Sequence, residues 1–188
     1  MKSILLLPML LGSVAIHAQG VFSNNTNTAL QKVIEDYPNK FINIKGDKIT
    51  SNHQATDYHS KIEVPGAAAS IITHYNTAKA EVYSWRSELY ESVNFEESKE
   101  RFKVLFNNIK NTIVKIEGLP PYILNGKYEF PSEDKKNTTI GFQLLPASGE
   151  LQKLTVDLTL RRAANGWKIS LSVYEKDLNN NSMASSDR

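Results

Sequence analysis

Residues 151–176 read LQKLTVDLTLRRAANGWKISLSVYEK, and this stretch decides the fold. Leu154, Val156, Leu158 and Leu160 fall on one side of an extended chain, and Thr155, Asp157, Thr159 and Arg161 on the other. After Ala163-Ala164-Asn165-Gly166 the pattern repeats. Trp167, Ile169, Leu171 and Val173 are in phase on the apolar side, with Lys168, Ser170, Ser172 and Tyr174 opposite. A period of two is that of a strand, whose successive side chains point to opposite faces. Asn-Gly between two such runs marks a hairpin. Antiparallel strands with one apolar face rest on a core by that face and turn the other to water.

Working outward, Tyr122–Phe130 and Thr138–Leu145 read as two further strands. Before them, Asn94–Asn111 reads as a helix. Asn94 is placed to cap it and Glu97 stands three residues on, a variant of the capping box. Phe95, Phe102, Leu105, Phe106, Ile109 and Ile113 form its apolar stripe, while Lys99, Arg101, Lys103, Asn107 and Lys110 fill the opposite face. The first half of the chain has the same order. Thr28 can cap a short helix through Leu30, Val33 and Ile34 that Pro38 stops. Extended segments follow at Phe41–Ile44 (with a turn at Gly46-Asp47), Thr56–Val64, Ser70–Asn76 and Glu81–Tyr90.

The chain therefore reads as a helix followed by four strands, twice, over about 28–91 and 94–177. The expected fold is α+β: one antiparallel sheet of about eight strands with two amphipathic helices on one face. The expected layout is a signal peptide over 1–18, a flexible N-terminus over 19–27, one domain over 28–177 and a disordered tail over 178–188.

The signal-peptide reading rests on Lys2, the apolar run Ile4–Leu11, and small residues ending at Ala18 before Gln19. The run is too short and too interrupted by Pro8, Gly12 and Ser13 to be a spanning helix, which needs about 20 apolar residues. An exported protein, periplasmic or extracellular, with no integral membrane segment after cleavage is the expectation. Losing Lys2 takes the 22 basic residues to 21, against 20 acidic ones, so no bulk charge draws the protein to nucleic acid. There is no cysteine, so no disulfide supports the core.

Motifs that carry chemistry are sparse. There is no G-x-S-x-G elbow, no H-E-x-x-H, no P-loop and no G-x-G-x-x-G. No cofactor is expected. Ser70, after Gly66-Ala67-Ala68-Ala69, reads as part of a tight connection rather than a nucleophile. His59, His74 and Asp57 lie on neighbouring extended segments and are the only set that paired strands would bring toward a metal or a general-base site. Most tyrosines and both tryptophans alternate in phase with the core. Tyr174 does not: it shares the polar face of the hairpin with Asp157, Thr159, Arg161, Lys168 and Ser170, and these six are the candidate binding residues.

Phe41-Ile42-Asn43-Ile44-Lys45-Gly46, then Tyr58-x-Ser60-Lys61-Ile62-x-Val64-Pro65-Gly66-Ala67, then Trp85 to Glu91 and Phe95-Glu96-Glu97, resemble uncharacterised exported proteins of Bacteroidota-type bacteria. The resemblance spans 37–113 and implies no activity or catalytic residue. In element order alone, tandem helix-β4 units on one sheet resemble the β-lactamase-inhibitor-protein-like fold, which implies a binding or inhibitory module. The sequence thus points to an exported, non-catalytic module that binds a protein or small molecule of the cell envelope through its polar sheet face. The alternatives are a hydrolase or metal-dependent enzyme using His59, His74 and Asp57, and a structural accessory of an envelope complex docked by the apolar side of a helix.

Overall fold

The computed structural model describes residues 22–76, 81–146 and 149–176; the expected signal peptide and the expected C-terminal tail lie outside them. In chain order the elements are helix α1 (Phe22–Asp36), strands β1 (Lys45–Ser51), β2 (Ala55–Ser60), β3 (Ala69–Asn76) and β4 (Glu81–Ser92), helix α2 (Phe95–Ile109), then β5 (Ile113–Val114), β6 (Tyr122–Gly126), β7 (Asn137–Leu145), β8 (Leu154–Ala163) and β9 (Gly166–Glu175). The nine strands make one sheet of order β1-β2-β3-β4-β9-β8-β7-β6-β5, antiparallel throughout. Each half is a helix followed by a meander. Both meanders run from an edge of the sheet to its centre, where their last strands, β4 and β9, pair.

The apolar phase read from 151–176 is the phase observed. Val156, Leu158, Ile169, Leu171 and Val173 are fully buried with Trp85, Ile140 and Phe142 from neighbouring strands. Leu30, Val33 and Ile34 of α1 and Phe102, Leu105, Phe106 and Ile109 of α2 join the same cluster. Helix α2 begins at the expected cap: Asn94 Oδ1 accepts from the Glu97 amide at 3.2 Å. Ser92 completes the box in place of a direct return bond. Its hydroxyl accepts from the Asn94 amide and donates to Glu97 Oε2 at 2.9 Å.

Several boundaries differ from the sequence reading. Helix α1 starts at Phe22, so Thr28 lies inside it and residues 22–27 of the expected flexible segment are helical. Phe41–Ile44 is a turn, and β1 occupies the Gly46-Asp47 position where a turn is expected. Asp36 explains this. Buried, it accepts from the Asn43 and Ile44 amides at 3.0 and 3.2 Å and from the Asn39 and Asn43 side-chain amides at 3.1 and 2.6 Å. The curled backbone lets Phe41 and Ile44 both enter the core. Strand β2 ends at Ser60, whose hydroxyl donates to the Ile62 carbonyl at 2.7 Å and accepts from the buried Trp85 indole at 3.0 Å.

Strand β6 ends at Gly126, short of Phe130. A ninth strand forms at Ile113–Val114, so Ile113 leaves the helix stripe and is exposed. The hairpin loop is Ala164-Asn165, and Gly166 opens β9 opposite Ala163. Gly166 has φ 131°, and a Cβ there would collide with the Ser92 carbonyl, so the glycine of Asn-Gly serves close backbone approach as well as the turn.

Candidate functional site

The face opposite the helices is built from the odd-numbered positions of β7 and β8 and the even-numbered ones of β9 from Lys168 to Tyr174. Strand register sets these residues in cross-strand rows. One row runs Arg86, Ser172, Asp157, Gly141. The next runs Glu88, Ser170, Thr159, Thr139, and beyond it Glu91, Lys168, Arg161, Asn137. On the other side of the first row lie Asp57, Thr73, Ser84, Tyr174 and Thr155. All six sequence-predicted residues, Asp157, Thr159, Arg161, Lys168, Ser170 and Tyr174, are on this face.

They are not equally available. Tyr174 is 1% exposed and Ser170 6%, against the expectation of a solvated aromatic on an open surface. Tyr174 leans along the sheet, with short Ser84 and Thr155 as its cross-strand neighbours, and its hydroxyl donates to Asp157 Oδ2 at 2.6 Å. Burial pushes the Asp157 carboxyl above its ordinary value, and the Tyr174 hydrogen bond draws it partly back. Asp157 and Tyr174 therefore form an internal pair that stiffens the centre of the face. Thr139 and Thr159 share a hydrogen bond at 3.0 Å, and Lys168 reaches Glu91 at 3.1 Å. Arg86 Nε lies 3.4 Å from Glu88 Oε1, while Glu88 Oε2 is buried with no hydrogen-bond partner among the described residues. Arg161 forms no ion pair among the described residues.

Sequence reasoning confined the face to one hairpin. The structure adds Arg86 and Glu88 from β4 and Asn137 and Thr139 from β7. Asn137 lies outside the expected strand Thr138–Leu145, and only strand order makes the four neighbours of the hairpin face. It adds an apolar end as well. Ile113, Ile123 and Leu145 pair across β5, β6 and β7 and are exposed by 53%, 44% and 42%. Leu145 belongs to the same alternating side of β7 as Asn137 and Thr139, so this aliphatic row continues the polar face.

The alternative catalytic set does not assemble. His74 pairs with Thr56 and His59 with Ile71, an odd offset along both strands, so the two histidines project from opposite faces of the sheet. His59 is exposed. His74 stacks on Tyr83 with ring centroids 4.4 Å apart, and Asp57 accepts from the Thr73 hydroxyl at 2.7 Å. Among the described residues no group of three His, Asp or Glu side chains is placed to hold a metal ion. The apolar side of α2 is likewise not available for docking, since Phe102, Leu105, Phe106 and Ile109 are buried in the core. Among the described residues no helix is long and apolar enough to cross a membrane.

Comparison with family models, with curated proteins and with solved structures finds no match.

Proposed function

We propose that the chain is an exported, non-catalytic binding module whose open sheet face meets a protein partner in the cell envelope. One observation carries this reading. The exposed aliphatic row Ile113–Ile123–Leu145 runs into ordered rows of donors and acceptors on a face that neither helix covers. Protein interfaces have this anatomy, an apolar centre beside a polar rim in which arginine is enriched. A twisted sheet holds such groups at fixed spacings, which lowers the ordering cost of association. The export expectation comes from the first eighteen residues, and a lineage of exported Bacteroidota-type proteins suits it.

The test is a pull-down from envelope extracts with tagged protein, followed by affinity measurement with the captured partner. Ile123→Lys and Arg161→Glu replace exposed or half-exposed side chains and leave the core intact. Each is expected to weaken the partner by about tenfold or more, the effect of losing roughly 1.4 kcal/mol at an interface. Full affinity in the folded double variant defeats the reading.

A further inference from the structure

The outward side chains of β5, β6 and β7 carry no charge. Ile113, Ile123 and Leu145 form the aliphatic row, and Asn125, Gln143 and Thr139 continue the same side along the strands. All six are exposed. Other water-facing parts of the molecule are charged. The outer side of α2 has Glu96, Lys99, Glu100 and Lys103, and the open face over β4, β8 and β9 has Arg86, Glu91, Arg161 and Lys168.

The two edges of the sheet are guarded. Strand β1 exposes Asp47 and Lys48, and its pairing with β2 slips twice. Strand β5, at the other edge, is two residues long. Charged, irregular or short edges do not recruit further strands. The outer face of β5–β7 has no such guard, so association there would be face to face.

The groups on the strip state what fits it. A charged patch repels its own copy and draws a partner of opposite sign. This strip does neither. The amides of Asn125 and Gln143 and the hydroxyl of Thr139 each donate and accept, so identical groups can satisfy them. A lysine or a glutamate cannot pair with its own kind. The Asn125 and Gln143 side chains form no hydrogen bond among the described residues and are free to be met.

Symmetry adds a fit of shape. Ile113, Ile123 and Leu145 lie in one cross-strand row with Ile123 in the middle. A two-fold axis in the interface, running along β6, sets Ile123 against Ile123 of the second copy and Ile113 against its Leu145. Such a contact is isologous and closes at two copies. From strand spacing and rise the strip measures at most about 15 Å by 30 Å. That is roughly half of the 800 Å² that each partner gives to a standard interface, which suits a weak, reversible dimer.

We infer that the outer face of β5–β7 is a self-association surface on which two copies of the chain pack sheet on sheet. This rests on the reading of the open face as an interface and names the occupant of its apolar end.

The experiment is sedimentation of the purified protein over a hundredfold range of concentration. A monomer–dimer equilibrium with a Kd on the order of 10–100 μM is expected. Ile123→Lys places like charges face to face on the axis and is expected to weaken the dimer at least about tenfold. Ile123→Val is expected to keep it, and so is Arg161→Glu, which lies beyond the strip. The chain has no cysteine, so Ile123→Cys supplies a single thiol per copy. A short bis-maleimide is expected to link these thiols into dimers and to leave Thr50→Cys, on exposed β1, unlinked. A monomer at every concentration, an undiminished dimer in the folded Ile123→Lys variant, or equal linking from Thr50→Cys each overturns the inference. A monomeric chain that captures a different envelope protein, and loses it on Ile123→Lys, overturns self-association while the interface reading stands. A dimer broken by Ile123→Lys upholds the inference even where no other envelope protein is captured.

Discussion

The two meanders share one sheet and one core, yet they are held in different ways. In β7 and β8 every second residue is buried from Thr138 to Leu144 and from Leu154 to Leu160, with the register unbroken. In β1 no residue is buried, and its pairing with β2 slips twice over seven residues. The second meander is an apolar zipper, whereas the first is tied by polar contacts. Asp36 gathers the turn before β1, Ser60 holds the Trp85 indole, and buried Ser70 donates to Ser87 at 2.9 Å. Apolar area is non-directional and tolerates repacking, but a polar tie fails as a unit when one partner is lost, because the other is left buried and unpaired.

The largest expected effect is in the zipper. Leu158 is fully buried between its cross-strand neighbours Ile140 and Leu171. Leu158→Ala is expected to cost about 3–4 kcal/mol in chemical denaturation, as transfer and cavity terms add. A cost under about 1 kcal/mol would mean that the central strands are not the stability core.

Next is the tie at Asp36. Asp36→Ala leaves the Asn43 and Ile44 amides without acceptors and is expected to cost about 2–3 kcal/mol. Hydrogen exchange should speed up at those two amides before the rest of the sheet. Uniform acceleration across β7 to β9 would erase the distinction between the halves.

The smallest is at the junction, where Tyr174 of β9 reaches Asp157 of β8. Tyr174→Phe is expected to cost about 1–2 kcal/mol near neutral pH. A carboxyl whose value is raised by folding binds its proton more tightly in the folded state than in the unfolded one. Its stabilising contribution is complete below the ordinary value of 3.8 and is lost as pH rises through the raised value. Removing the Tyr174 hydroxyl raises Asp157 further. The penalty of Tyr174→Phe should therefore grow between about pH 3 and about pH 7. Denaturation curves showing the same penalty at both ends would show that the hydroxyl does not stabilise the ionised carboxylate.

How much of this was legible depends on the range of the signal. The hairpin, the polar parity of Asp157, Thr159, Arg161, Lys168, Ser170 and Tyr174, and the Asn94 cap are written locally, because strand period and capping involve residues only a few positions apart. The turn at Phe41–Ile44 was not legible. Its sequence suits a strand, and it curls because a carboxylate seven and eight positions away captures two of its amides. The burial of Tyr174 was equally hidden, since it depends on short neighbours in two other strands.

By itself the sequence determined the fold class, the order of a helix and then strands in each half, and the side of the β8–β9 hairpin that faces the core, since these follow from periodicity and capping within short windows. Only the tertiary structure decided that the meanders join through β4 and β9. It alone separated His59 from His74 and aligned Ile113, Ile123 and Leu145. Those arrangements arise from strand order and register, which depend on contacts between residues tens of positions apart and leave no periodic trace in the chain.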